Sequence, residues 1–389
     1  MQQASPMEEE VTHFLSVCYS IAGYSAGALH SVERYGKELR LALQDPVNQR
    51  LWCGGDLEKT IEQMKVRVTY NQHLLDDLVQ DLADCPVGPP GGLGRRTPPP
   101  GILRVPPGYA VDPSNASKTR STLRQFVRDW SREGAPERQV CYEPLLRDLA
   151  KYVPLVKHPG RPRPKVLTPG SGLGRLTFEA ARRGYFAEGN EFSYHMLLGT
   201  AWVLNCSGEA LGTTIFPYII DTVGRRSAYD HMRPICIPDI SPGDFCDPAL
   251  GFGDISMRSG EFVEIYKDQV GEWDAVLTAF FIDTAHNIIS YVRVMATILR
   301  PGGLWANVGP LLWHYSPEGG GPDDAVSVEL SWEELRPVVE AYFDISEIER
   351  QDAHYTDGSL AGKRKRYRCL HFAAVRNGAP VVGHSNPVW

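Results

Sequence analysis

The stretch from Lys165 to Glu191, KVLTPGSGLGRLTFEAARRGYFAEGNE, constrains the fold more than any other part of the chain. It reads as strand, glycine turn, helix, strand and terminal acid. Val166-Leu167-Thr168 is a short β-prone run, and Gly170-Ser171-Gly172-Leu173-Gly174 follows at once, where missing side chains let a backbone turn sharply and lie against a ligand. A helix is expected from about Arg175, with Leu176, Phe178, Ala180 and Ala181 as its apolar positions and Gly184 as its stop. Tyr185-Phe186-Ala187 resumes a strand that ends in Gly189-Asn190-Glu191. Glu191 falls roughly 20 residues after the glycines, the distance at which a nucleotide-binding βαβ unit presents a carboxylate to ribose hydroxyls. A tight turn with no ligand would use the same residues, so the rest of the chain has to decide.

The glycines are spaced GxGxG rather than GxGxxG, and the third glycine that lets a dinucleotide-binding helix pack closely is missing. That favours a mononucleoside cofactor over NAD. S-adenosylmethionine meets the requirement: it offers a ribose to Glu191, its methionine part can lie along the turn beside Gly170 and Gly172, and it has no pyrophosphate needing a helix N-terminus. Further along, Trp273 to Asp283 is an apolar run of strand character, long enough to be buried in a parallel sheet. Thr284 to Leu299 is expected to be helical, with Ile288, Ile289, Val292, Met295, Ile298 and Leu299 at three-and-four spacing. Arg300-Pro301-Gly302-Gly303 breaks it, and Leu304 to Val308 forms another strand. This order resembles the later half of class I methyltransferases. The fold expected is therefore α/β, a Rossmann-like seven-stranded sheet with an N-terminal helical region. Such folds place an acid and an apolar side chain against the adenine where this chain has Glu261 and Phe262; for Glu261 an ordinary loop carboxylate is the alternative.

With 389 residues the chain can bury a sizeable core, and a catalytic domain of about 200 to 250 residues leaves an N-terminal portion over. Residues 1–84 have helical composition, 85–117 are crowded with proline and glycine and read as a linker, 118–376 form the catalytic domain with a helical cap, and 377–389 are a flexible tail. A net charge of −7 offers no general attraction to nucleic acid or to acidic membranes. No signal peptide and no apolar run of membrane-spanning length is visible. The eight cysteines contain no CxxC pair and read as reduced thiols of a cytoplasmic protein, with no metal site expected. Lys363-Arg364-Lys365-Arg366 reads as a solvated loop, with a nuclear address or a contact to an anionic substrate as alternatives. Oligomeric state is not legible in the residues, and a homodimer stays open.

Seven blocks in order carry a narrower resemblance: QFVRDWS at Gln125 to Ser131, PGSGLGRL at Pro169 to Leu176, GNEFS at Gly189 to Ser193, RRSAYDHMRPI at Arg225 to Ile235, FFIDTAHN at Phe280 to Asn287, PGGLWANVGPLLWH at Pro301 to His314, and ELSWEEL at Glu329 to Leu335. On these the chain resembles the N2227-like family of carnosine N-methyltransferases from about Arg120 to Val375. The resemblance implies methyl transfer from S-adenosylmethionine to the imidazole Nπ of carnosine, a small dipeptide. It implies that Asp283 and His314 meet the substrate imidazole, that Tyr355 and Tyr367 line the pocket, and that Phe280 and Phe281 wall the ring. It also implies that Gln125 and Arg128 close over the methionine end of the cofactor. His286 and Asn287 would reach the substrate or merely cap a helix; Arg225, Arg226 and Asp230 would bind a carboxylate or pair internally. One departure stands out. The family often has a run of tyrosines where this chain has Lys363 to Arg366, which keeps a histidine within a protein open as an alternative acceptor.

Overall fold

The computed structural model describes residues 5–80, 103–155, 162–245, 251–317, 325–356 and 365–381. The proline-rich run at 85–102, Lys363-Arg364 and the tail beyond 381 lie outside these. In chain order the elements are α1 (Pro6–Ala22), α2 (Tyr24–Ala42), α3 (Pro46–Leu51), α4 (Leu57–Gln80), α5 (Pro113–Trp130), α6 (Ala135–Cys141), α7 (Glu143–Tyr152), β1 (Lys165–Pro169), α8 (Arg175–Arg182), β2 (Phe186–Glu191), α9 (Tyr194–Asn205), β3 (Thr213–Ile215), β4 (Ile235–Ile237), β5 (Ile255–Ser259), α10 (Phe262–Tyr266), β6 (Trp273–Ala279), α11 (Ile288–Ile298), β7 (Leu299–Gly309), α12 (Trp332–Glu340), β8 (Phe343–His354) and β9 (Arg366–Arg376).

The chain divides into two compact units. The first comprises Met1–Gly134, Ser193–Gly243 and Thr356–Arg364, and the second the remainder. These units are drawn along different lines from the segments read from sequence. The N-terminal helices share a unit with α5 and with the insertion between β2 and β5. Helix α5 also begins at Pro113 rather than Lys118. Its start is encoded in a dipeptide that reads as linker: Asp112 accepts from the Asn115 amide, and Pro113 occupies the first turn, where no amide hydrogen is needed. Helix α1 opens with a capping box between Ser5 and Glu8.

Within the first unit, several buried polar groups are satisfied by residues distant in sequence. The Ser20 hydroxyl meets Thr119 Oγ1 at 3.0 Å and His195 Nε2 at 3.1 Å. Burial holds the His195 pKa down at about 4. The Asn71 amide donates to Tyr24 Oη and to the Phe216 carbonyl, while its Oδ1 accepts from the Phe216 amide. Arg233 pairs with Glu133 at 2.7 Å.

The second unit is built on a seven-stranded sheet in the order β5-β2-β1-β6-β7-β9-β8. Strands β5, β2, β1, β6 and β7 run parallel, and β9 enters antiparallel between β7 and β8. Numbered among themselves, the seven strands lie 3-2-1-4-5-7-6, which is the class I methyltransferase sheet expected from sequence. The central strands carry near-continuous apolar residues because both faces are covered. One face packs Leu145, Leu146, Leu149, Leu176, Ala180 and Tyr185; the other packs Val292, Met295, Ile298, Leu335 and Phe343. A buried polar chain runs through the middle: Trp305 Nε1 donates to Thr278 Oγ1, which donates to Asn307 Oδ1, and Asn307 Nδ2 donates to the Leu370 carbonyl. It joins β6, β7 and β9. On the α7 side, His371 Nε2 and Asp148 Oδ2 lie 2.7 Å apart with both side chains wholly buried.

Two expected boundaries move. Strand β6 ends at Ala279 and not at Asp283, which instead sits in a 3-10 turn at Ile282–Thr284. The helix expected from Thr284 begins only at Ile288, because Asn287 caps it by accepting from the Ile289 amide.

Candidate active site

Strand β1 delivers the chain to the glycine turn at the carboxyl edge of the sheet, where ligands of open α/β folds sit. Gly170, Gly172 and Gly174 have φ of +64°, +56° and +76°, left-handed values that glycine adopts without strain. Gly170 is needed for space as well. A Cβ there would lie 2.5 Å from Cδ2 of Phe281, whose ring forms the floor beneath the turn. The Ser171 amide donates to the Asn190 carbonyl at 3.0 Å, tying the turn to the end of β2. The Glu191 carboxylate takes the Gly172 amide at 2.9 Å and the Phe192 amide at 2.8 Å. The acid predicted from spacing is therefore held beside the glycine turn.

The Ser171 hydroxyl, buried in this turn, has no hydrogen-bond partner among the described residues. A buried hydroxyl left so calls for a polar ligand group. Together with the left-handed glycines and the adjacent carboxylate, it fits a small polar cofactor of the S-adenosylmethionine type. Ser171 escaped the sequence reading because a serine between glycines looks like ordinary turn composition. Phe192, which follows Glu191, also escaped it; its side chain is 67% exposed at this edge.

Beyond β5, Glu261 caps α10 by accepting from the Glu264 amide at 2.8 Å, and burial raises its pKa. Phe262 is only 3% exposed. Its ring meets Phe281 edge-on at 5.5 Å and Tyr291 at 5.2 Å, while Phe281 stacks on Tyr291 at 5.0 Å. Phe281 thus belongs to the floor under the glycine turn. The resemblance sets it beside Phe280 around the acceptor ring; the bend at Phe280, whose φ is +54°, instead places the two rings in different groups.

Phe280 joins a different group. Its ring lies 4.9 Å from Tyr355 and meets Tyr367 edge-on at 5.9 Å. The three aromatics expected around a flat acceptor come together here. Asp283 and His314 are brought together too, by the loops that follow the neighbouring strands β6 and β7. The His314 amide donates to the Asp283 carbonyl at 2.9 Å, and the Leu312 amide donates to Asp283 Oδ2 at 3.1 Å. The Asp283 side chain is 1% exposed. Burial raises its pKa, and the positive charge of a protonated His314 nearby partly offsets the rise. Both loops contain a bulky residue in the left-handed region, Phe280 at φ +54° and Trp313 at +49°. Such conformations are costly away from glycine and persist only where the surroundings impose them.

Gln125 and Arg128 are buried on α5, with Arg128 Nη1 3.3 Å from Asp129 Oδ1; they lie in the first unit and are not among the residues the second unit assembles. Asn287 is a helix cap. Asp230 accepts from the Arg226 and Ser227 amides, and Arg225 donates to Tyr35 Oη, so both are used internally. Arg366 pairs with Asp352 at 3.4 Å with both side chains well exposed, and strand alternation sets it on the face opposite Tyr367. Among the described residues there is no group of three or more His, Cys, Asp or Glu side chains able to hold a metal ion, and no helix is long and apolar enough to cross a membrane. The six described cysteines are free thiols.

A family model described as carnosine N-methyltransferase matches residues 108–378. The carnosine N-methyltransferases of mouse and rat are each 40% identical over 257 residues, covering 66% of this chain and 62% of theirs. That of Dictyostelium discoideum is 35% identical, covering 69% of this chain and 58% of its own. The chain thus spans somewhat less than two thirds of the length of these relatives. Among solved structures, a SAM-dependent methyltransferase from Methanosarcina mazei aligns with a TM-score of 0.35 at 13% identity, covering 57% of this chain and 99% of that one.

Proposed function

The chain belongs to the carnosine N-methyltransferase family, and on that premise we propose that it methylates the imidazole Nπ of carnosine with S-adenosylmethionine as donor, giving anserine and S-adenosylhomocysteine. The observation that carries this reading is the buried Asp283 carboxylate beside His314, at the ends of adjacent strands and close to the glycine turn of β1.

S-adenosylmethionine, when bound along Gly170 to Gly172 with its ribose toward Glu191, supplies an electrophilic methyl group. The acceptor needs little activation. A neutral imidazole is already a nucleophile, and its pKa near neutrality leaves much of it unprotonated at pH 7. What the protein must provide is one tautomer held in line. Attack through Nπ requires the proton on Nτ, and a carboxylate aimed at Nτ–H selects that tautomer. Asp283 is suited to this, because burial raises its proton affinity and strengthens its hold on the cation formed by transfer. The Leu312 amide occupies one of its oxygens and fixes the carboxylate plane. His314 adds a second polar contact, and Phe280, Tyr355 and Tyr367 wall the flat ring.

The opposite facing of Arg366 and Tyr367 supports a small peptide over a histidine within a protein, since that basic residue does not line the aromatic group. Purified protein with labelled S-adenosylmethionine, offered carnosine or a cell lysate, decides between them. Label is expected in the dipeptide; label confined to protein bands would replace this reading with the other.

A further inference from the structure

His286, left by the sequence between reaching the substrate and capping a helix, joins three segments of the second unit. Its ring stacks on Tyr315, the neighbour of His314, with centroids 3.4 Å apart and planes 22° apart. Its Nδ1 lies 2.9 Å from the Val326 carbonyl, and its own carbonyl accepts from the Val328 amide at 3.0 Å. A carbonyl can only accept, so Nδ1 carries the proton and the ring orientation is set. His286 also stands near enough to Glu261 for their charges to interact. Thus one side chain, three residues after Asp283, grips the residue following His314 and the segment that leads to α12.

The loop it grips is under strain. Trp313, immediately before His314, holds φ at +49°, a conformation a tryptophan keeps only under external constraint. The Leu312 and His314 amides, one on each side of Trp313, both donate to Asp283, and the His286 stack on Tyr315 holds the next residue along.

We propose that His286 is a positioning residue for the acceptor: by stacking on Tyr315 it clamps the loop after β7 and so holds His314 in place against Asp283. This rests on the functional reading above, in which Asp283 and His314 meet the acceptor imidazole.

The test uses two substitutions that divide the contacts of His286. His286→Phe keeps a ring against Tyr315 and loses the bond to Val326; His286→Asn keeps a donor near the Nδ1 position and loses the stack. Two readouts are needed. Amide hydrogen exchange reports on the loop without any substrate, because the Leu312 and His314 amides are protected by their bonds to Asp283. His286→Asn should speed exchange at both amides on the order of tenfold, and His286→Phe should leave them near wild type. In turnover, His286→Asn should lower kcat/KM for carnosine on the order of tenfold, mostly through KM, by displacing His314. In a His314→Ala background the same substitution should cost nothing further, since its effect passes through His314. Unchanged exchange, or the same loss with and without His314, overturns the proposal. If the wild-type protein transfers no methyl group to carnosine, the functional reading fails, and exchange alone still decides whether His286 holds the loop.

Discussion

The two halves of the site solve the same backbone problem with opposite residues. At the glycine turn three positions adopt left-handed φ, and all three are glycine. At the acceptor loops the left-handed positions are Phe280 and Trp313. A glycine reaches that conformation at almost no steric cost, whereas a bulky residue there costs about 1–3 kcal/mol and must be compelled by its neighbours. The glycine turn is therefore a local device in its backbone, written within Lys165 to Glu191, with Phe281 supplying its floor from outside. The loops proposed to hold the acceptor form a tertiary one, in which Phe280 packs against Tyr355 and Tyr367, and Trp313 is flanked by Leu312 and His314, whose amides both donate to Asp283, with the His286–Tyr315 stack next along the chain.

This contrast can be broken at several points. The largest effect is expected at Asp283. Asp283→Asn preserves shape and an acceptor for the Leu312 amide but removes the charge, so turnover of carnosine should fall by about 10²- to 10⁴-fold with cofactor affinity nearly unchanged, as measured by steady-state kinetics and calorimetric titration. Equal loss of cofactor binding would mean the two halves are not separable. The same variant should be more stable than wild type at neutral pH. Burial raises the folded pKa of Asp283 above its ordinary value, so its ionised form opposes folding. The gain on substitution should be full above the raised folded pKa and should vanish as pH falls below the ordinary carboxylate value of about 4, which thermal melts across pH would display.

Next is Gly170→Ala. The new methyl group meets the Phe281 ring at 2.5 Å at a position whose φ is +64°. A loss of about 1–3 kcal/mol in stability is expected, with weakened cofactor binding, by thermal melting and titration. A smaller and more selective change should follow Phe280→Gly, which relieves the left-handed strain and removes an aromatic wall. KM for the acceptor should rise on the order of tenfold with the melting temperature little changed, because the relieved strain offsets part of the lost packing. A marked drop in stability would show that Phe280 serves packing more than recognition. Arg366→Ala should do least. Its exposed pair with Asp352 lies on the far face of β9, and turnover should stay within about twofold.

The same contrast explains what could be read from sequence. Glycine spacing and Glu191 were legible because a local device leaves a local pattern, and α8 and β2 fall where the residues place them. The central strands were legible from their unbroken apolar runs. Asp283 and His314 stood out through resemblance alone, and the reading of Asp283 as a strand end was off because the apolar run continues through the bend at Phe280. The opposed directions of Phe280 and Phe281 follow from that bend, which no pairwise spacing reveals. The role of α5 was hidden differently: its start is an Asp-Pro pair at the edge of a proline-rich stretch, and its partners, such as the Asp239 amide bonded to the Trp130 carbonyl, come from residues far along the chain. Gly, Pro and apolar periodicity report what a segment does for itself. They are silent on what it does for another.

The hydrogen-bonded chain from Trp305 through Thr278 and Asn307 to the Leu370 carbonyl lies directly beneath the acceptor loops. Each member would leave a buried polar group stranded if its neighbour were replaced, at about 1–3 kcal/mol per group. The seam therefore resists piecemeal change, while the loops above it at Phe280 to Asn287 and Gly309 to Tyr315 can vary without unzipping it. On the reaction proposed above, changes confined to these loops should alter the acceptor while the methyl donor is kept. Redesign for a new acceptor has a natural starting line at the ends of β6 and β7.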